Sequence, residues 1–393
     1  MSGTLNSIYN NVNFALHLHA DALARLQEQA STGSRVNRAS DDPSVAHRIL
    51  GLNSQRRSLE NYMDNISQAI NTLEISSTIV NDITSAIAET KVDLTQITGG
   101  IYDQEGRERA ADSINDTLEQ MLTSANSRYT NQYLFGGCDT GSVPYVAERT
   151  NGEITSVTYQ GSSQGRNIEV APGLESSAFY VGDTIFCSDS RSAPVFLGDT
   201  GAKAGTGTSN VSGDVWLTVT GSAGNYDISI DDGLTTFNTD GTDTNLAVTD
   251  SRTGQVLYID TTDINSTGVA MVRIPGTYDI FNTLISIRDL LRNERGLTDT
   301  QLTEAISSSI SSLEEVRSHL TGKSVSIGSR IEFLDNLKDT LENVKFNTED
   351  ETTLLQQADI AQVAVDISRR EVLYQMSLSV AGKLMSMSLL DFI

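Results

Sequence analysis

Apolar residues recur every seven positions along the first third of the chain. Val45, Leu52, Leu59, Ile66, Leu73, Val80, Ile87, Leu94 and Ile101 form one unbroken row. A second row, Ile49, Met63, Ile70, Ile83 and Ile97, runs beside it and is interrupted by Ser76 and Thr90. A seven-residue repeat on a helix makes a narrow seam that winds around a partner helix. Ser40-Asp41-Asp42-Pro43 supplies the start signal, a carboxylate N-cap followed by proline at the first helical position. Gly99-Gly100 supplies the stop. About 54 residues at about 1.5 Å each predict a rod of roughly 80 Å. A second helix is predicted from about Glu105 to Tyr129, with Ala111, Ile114, Leu118, Met121, Leu122 and Ala125 facing inward.

The C-terminal flank repeats the pattern. Thr298-x-x-Gln301 reads as a capping box. Beyond it Ile306, Leu313, Leu320, Ile327, Leu334 and Leu341 step by seven, widened by Ile310, Val316, Ile331, Leu337 and Val344. Two such rods in one chain, separated by a long insertion, are natural antiparallel partners.

The extreme ends differ. Leu5, Ile8, Val12, Ala15, Ala22 and Leu26 make an interrupted row, broken by His19. At the other end Thr348-x-x-Glu351 reads as a further capping box. Ile360, Val363, Ile367 and Tyr374 then share one stripe; Leu373, Met376, Val380, Leu384 and Met387 share another, and the chain continues through Leu389 and Leu390. Neither end can bury its apolar residues alone. Each either pairs with the other or waits for another subunit, and both are expected to be largely disordered in a lone copy.

Between the flanks the pattern switches to alternation. Val157 and Tyr159, Ile168 and Val170, Val215, Leu217 and Val219, Tyr226, Ile228 and Ile230, and Val269 and Met271 mark strands. Four of five prolines and 20 of 30 glycines fall between Gly136 and Gly276, which confines turn chemistry to this stretch. Gly198–Gly213 is expected to be a loop. The fold class that follows is mainly α with a β-rich insertion: a long antiparallel coiled-coil-like rod built from both chain ends, carrying a central all-β outer module. The expected divisions are 1–44 with 356–393 as terminal helices, 45–135 with 278–355 as the rod, and 136–277 as the outer module, in one or two parts.

Charge removes several function classes. The chain of 393 residues holds 27 Lys and Arg against 51 Asp and Glu, a formal charge of −24. Such a balance disfavours nucleic acid and anionic membrane as partners. No apolar run reaches the roughly 18 residues of a membrane span, and the N-terminus lacks the basic start and greasy run of a cleavable signal. The two cysteines, Cys138 and Cys187, make no metal cluster, and one bridge between them is neither required nor excluded. His17 and His19 are two apart and diverge on a helix, so they share no metal. Gly322-Lys323-Ser324 lacks the upstream glycine of a phosphate loop, since Arg317 stands there. Asp231-Asp232-Gly233 and Asp240-Gly241-x-Asp243 lack calcium-loop spacing and read as turns. Nothing brings a catalytic triad together. No enzyme, cofactor or metal is read here.

One motif is specific. Ser31-Thr32-Gly33-Ser34-Arg35-Val36-Asn37-Arg38-Ala39-Ser40-Asp41-Asp42-Pro43 closely resembles the N-terminal signature of bacterial flagellins and their relatives. Three further stretches are similar to one branch, the third hook-associated protein family of hook–filament junction proteins. They are Ala125 to Gly137, with Asn131 where that family often has glycine; Tyr159-Gln160-Gly161 with Arg166 to Val170 and Gly182 to Phe186; and the ending Ser388-Leu389-Leu390-Asp391-Phe392-Ile393. The resemblance covers nearly all of 1–190 and 278–393 and not 190–275. It implies an extracellular structural adaptor of the flagellum, exported by the flagellar apparatus without a cleaved signal. The implied partners are other copies in a ring-like layer, the first hook-associated protein, flagellin, and a cytoplasmic export chaperone on the segment Leu373 to Leu390. The alternative is a flagellin-type filament subunit. Candidate assembly residues are then Leu5, Ile8, Val12, Leu26, Arg35, Asn37, Asp41, Asp42, Ile360, Val363, Ile367, Leu373, Met376, Val380, Leu384, Leu389 and Leu390. Leu52, Leu59, Ile66, Leu73, Val80, Ile87, Leu94, Leu313, Leu320, Ile327, Leu334 and Leu341 are the candidate rod core.

Overall fold

The computed structural model of the chain describes residues 2–100 and 103–390, with side chains at 7, 10–100 and 103–383. In chain order the helices are α1 (Ser2–Thr32), α2 (Pro43–Gly99), α3 (Gln104–Ala125), α4 (Gly182–Phe186), α5 (Ile280–Arg292), α6 (Asp299–Gln356) and α7 (Ile360–Leu390). The strands are β1 (Arg128–Tyr129), β2 (Gln132–Tyr133), β3 (Tyr145–Thr150), β4 (Glu153–Tyr159), β5 (Arg166–Ala171), β6 (Leu174–Phe179), β7 (Val195–Leu197), β8 (Lys203–Ala204), β9 (Gly213–Ser222), β10 (Asn225–Ser229), β11 (Phe237–Thr239), β12 (Leu246–Thr249), β13 (Val256–Asp260) and β14 (Gly268–Ile274). The chain is thus mainly helical with a β-rich middle. It forms two compact units, Met1–Asp64 with Leu337–Ile393, and Asn65–Asn336. The boundary falls inside α2 and α6, whereas the sequence placed its nearest divisions close to helix ends.

In the unit 65–336, the seven-residue rows are buried lines. Ile66, Leu73, Val80, Ile87 and Leu94 on α2, and Leu313, Leu320, Ile327 and Leu334 on α6, are at most 1% exposed. The polar interruptions Ser76 and Thr90 are buried too, and each hydroxyl donates back to a carbonyl four residues earlier, Thr72 at 2.8 Å and Ala86 at 2.9 Å. That satisfies the hydroxyl without a partner helix. Lys91 Nζ reaches Glu314 Oε2 at 2.7 Å, and Ser324 Oγ donates to Asn81 Oδ1 at 2.8 Å. Ten residues back on α2 correspond to ten forward on α6, an antiparallel register. Ile101 lies outside the described residues, and Val344, expected on the buried stripe, is 37% exposed.

α3 stops at Ala125, not at Tyr129. The chain turns through Asn126 into the β1–β2 hairpin, whose two loop residues, Thr130 and Asn131, have φ of 46° and 64°. Two left-handed residues make the hairpin turn that matches strand twist, and asparagine tolerates that region better than most residues. α5 has no apolar row that the sequence reading separated from its neighbours. Asp279 caps it, its Oδ1 accepting the N–H groups of Phe281 and Asn282 at 2.7 and 2.8 Å. α5 packs on α3 and β4 through the buried Arg288, which donates to Asn115 Oδ1 at 3.0 Å and the Ile154 carbonyl at 2.6 Å.

The middle contains a five-stranded antiparallel sheet, ordered β11-β10-β9-β14-β7, and a three-stranded one, β12-β13-β8. Leu217, Val219, Ile228, Val248, Leu257, Ile259 and Val272 meet in their shared apolar core. The hairpins β3-β4 and β5-β6 precede them. The stretch is not wholly β, because α4 makes one turn within it, and the expected loop at 198–213 contributes β8. Asp231, 2% exposed, ties two loops together. Its carboxylate accepts from Ser229 Oγ at 2.8 Å, Thr235 N–H at 2.9 Å and Ser251 Oγ at 2.6 Å. Burial pushes its carboxyl up, yet these donors together outweigh burial and hold it far below the ordinary carboxylate range. Cys138 and Cys187 are both free thiols; Cys187 donates to Asp279 Oδ2 at 3.1 Å.

Candidate assembly interface

Within the unit of the two chain ends, α1 packs against α7. The flagellin-like segment 31–43 joins α1 to α2 and is held by local bonds. Gly33, with φ of 69°, ends α1 in the left-handed region. Asp41 Oδ2 accepts the N–H groups of Asn37 at 3.2 Å and Arg38 at 2.9 Å. Asn37 Nδ2 donates to the Ser34 carbonyl at 3.2 Å. Asp42 caps α2, accepting the Val45 N–H at 3.1 Å and the Ser44 hydroxyl at 3.1 Å. Those two donors hold its carboxyl below the usual range. Arg35 is exposed and stands 3.8 Å from Asp42.

This segment also meets the break between α6 and α7. The Arg35 N–H donates to the Gln356 carbonyl at 2.6 Å, and the Ala358 N–H donates to the Gly33 carbonyl at 2.9 Å. Ser34 and Gln357 form an isolated antiparallel bridge. The break is at Gln357–Asp359, not at the Thr348-x-x-Glu351 box. Thr348 is buried inside α6 with its hydroxyl turned back on the Val344 carbonyl at 2.8 Å, so the capping signal is spent within the helix. Asp359 is the working cap, accepting the Gln362 N–H at 3.1 Å. In the same unit α2 and α6 are bridged by Arg56 with Glu349 at 3.8 Å and Lys345 with Glu60 at 3.3 Å, and Leu59 and Leu341 are each 7% exposed, with Leu52 half-buried.

The pairing of α1 with α7 leaves much apolar surface uncovered. Val363 is buried, while Val12, Leu26, Ile367 and Leu373 are half-buried. Ile360, Met376 and Val380 are 49%, 60% and 50% exposed. Leu5, Ile8, Leu384, Leu389 and Leu390 lie outside the described side chains. The structure adds Phe14, Leu18, Val365, Val372 and Leu378, all exposed, which the sequence reading did not single out. The four-residue step from Phe14 to Leu18 and the seven-residue step from Val365 to Val372 were available signals.

Among the described residues no group of His, Cys, Asp and Glu is placed to hold a metal ion, and no helix is long and apolar enough to cross a membrane.

Residues 5–140 match the family described as the bacterial flagellin N-terminal helical region. Flagellar hook-associated protein 3 of Escherichia coli is 25% identical over 42% of this chain and 50% of its own length, so the chain spans about half of that relative. The flagellar filament 41 kDa core protein of Borreliella burgdorferi is 30% identical over 28% of this chain and 31% of its own length. In three dimensions the flagellar hook-associated protein 3 of Legionella pneumophila covers 78% of this chain and 98% of its own, with a TM-score of 0.54 at 14% identity, a likeness of fold. The N-terminal region of the chain is thus similar to the helical region of bacterial flagellins, and the chain resembles flagellar hook-associated protein 3 in part of its sequence and in its fold.

Proposed function

We propose that the chain is a structural adaptor of the bacterial flagellum, joining the hook side to the flagellin filament. The observation that carries this reading is the α1–α7 pair: both chain ends run side by side as helices, yet six of α7's large apolar residues from Ile360 to Val380 are about half exposed or more. Exposed apolar residues in this number along one helix mark a contact with another molecule. Copies packing head to tail through such surfaces close into a ring or grow into a tube. The long helices α2 and α6 serve as an antiparallel coiled-coil-type rod, and the acidic β-rich middle, with 6 basic and 17 acidic residues from Gly136 to Gly276, faces water as an outer module. The role is one of packing, not catalysis.

The partners on this reading are other copies, the first hook-associated protein on one side and flagellin on the other. A cytoplasmic chaperone covers 373–390 before export through the flagellar apparatus, without removal of a signal. A lone α1–α7 pair is loosely held, because among the described side chains Val363 is the one buried on α7 and none is buried on α1. Hydrogen exchange on the monomer should be fast throughout 1–30 and 360–393; slow exchange there contradicts this part.

Deleting the gene tests the whole. Cells should keep intact hooks and release flagellin into the medium, and labelled protein should sit at the base of the filament. The likeness to a filament core protein supports a second reading, a filament subunit. Purified protein that grows long filaments unaided would select it.

A further inference from the structure

In a chain with nearly twice as many acids as bases, one cleft is basic. It lies between α1 and α7, encloses about 580 Å³, and is floored by Leu26 and Leu373. Arg25, Arg369 and Arg370 line it against a single carboxylate, Asp366, which accepts from Gln362 Nε2 at 3.3 Å. Arg370 Nη1 stands 3.3 Å from His19 Nδ1. Arg25 and Arg369 are exposed and engage no ion pair among the described residues. Guanidinium groups gathered beside an apolar floor are built to take a carboxylate.

The complementary group is on the same helix. Glu371 is exposed and likewise engages no ion pair among the described residues. Two residues beyond Arg369, it is rotated by roughly 200° and projects from the opposite side of α7. A helix with an unpaired arginine, Arg369, on one side and a carboxylate on the other is self-complementary in the head-to-tail sense. We infer that Arg369 of one copy receives Glu371 of a neighbouring copy, an ionic contact that sets the register in which the apolar faces of α7 meet. This rests on the adaptor reading and names the partner at its surface. Charge pairs of this kind fix register and exclude wrong alignments more than they add affinity.

The test is a charge swap in the full chain, expressed in cells lacking it. Arg369→Glu and Glu371→Arg alone should each be exported but lower incorporation into flagella about tenfold or more. The doubly reversed chain should return incorporation to near the starting level, because every copy then carries both changes. Equal incorporation by the single variants, or no rescue by the double one, overturns the inference. A variant that keeps the charge supplies a direct measurement. Carbodiimide treatment of flagella carrying Arg369→Lys should yield a covalent dimer whose joining peptide links positions 369 and 371, lost when Glu371→Gln is added. If that chain is present in flagella and gives no such peptide, the contact is refuted while the adaptor reading stands. If the unaltered chain is missing from flagella, both fall.

Discussion

Truncating Leu320 and truncating Met376 should separate what holds the chain together from what it offers to neighbours. Leu320 is fully buried on α6, between the α2–α6 contacts made by Glu314 and Ser324. Leu-to-Ala changes in packed interiors cost about 2.7–5 kcal/mol, the lower values applying where the surroundings relax into the space. Two helices meeting along a narrow seam can close part of the gap, so Leu320→Ala should cost about 3 kcal/mol. For a unit of this size that lowers the melting temperature by roughly 6–12 °C. Met376 is 60% exposed, so most of its apolar area is already in water, and Met376→Ala should cost the lone chain less than about 1 kcal/mol. Its effect should appear as loss of incorporation into flagella. The assay is urea unfolding followed by the fluorescence of Trp216, the chain's single tryptophan, which lies in the unit 65–336. An unchanged Trp216 midpoint in Leu320→Ala would refute the packed seam. An equal shift in Met376→Ala would refute the exposure assigned to α7.

Other outcomes follow from single sites. Asp231→Asn removes a charge that several donors were placed to meet, and should cost about 2 kcal/mol in urea unfolding at neutral pH. Because the folded carboxyl titrates below its ordinary 3.8, its stabilisation is present above that pH and fades as the pH falls beneath it; the variant's stability should therefore drop less steeply in acid. Asp359→Ala deletes the cap of α7 and should cost about 1 kcal/mol, read as faster hydrogen exchange in the first turn of α7 in assembled flagella, with the Trp216 midpoint of the monomer unchanged. Gly276→Ala should lower the Trp216 midpoint sharply, since φ is 80° and an added Cβ would lie 1.9 Å from the Ser190 carbonyl oxygen; a midpoint within about 0.5 kcal/mol of the starting chain would show that this turn relaxes.

Signals that complete themselves within a few residues are readable from the chain alone. The seven-residue spacing marks the side of α2 that faces inward, because helical periodicity is a local property. Asp42-Pro43 starts α2, and Thr298 and Gln301 bond reciprocally, the Thr298 N–H to Gln301 Oε1 at 3.1 Å, for the same reason. Alternation marked β9 and β14. It could not say that they pair with each other, since Met271 meets Trp216 across 55 residues of chain. Thr348-x-x-Glu351 carries the letters of a cap, but Thr348 lies buried within α6 and Glu351 pairs with Arg48, and both outcomes are decided by what packs alongside. The basic cleft joins Arg25 to Arg369 and Arg370, residues from opposite ends of the chain. Local chemistry chose the helices, strands and caps; which faces were left without cover depended on neighbours far away in sequence, and only the folded chain brings those neighbours together.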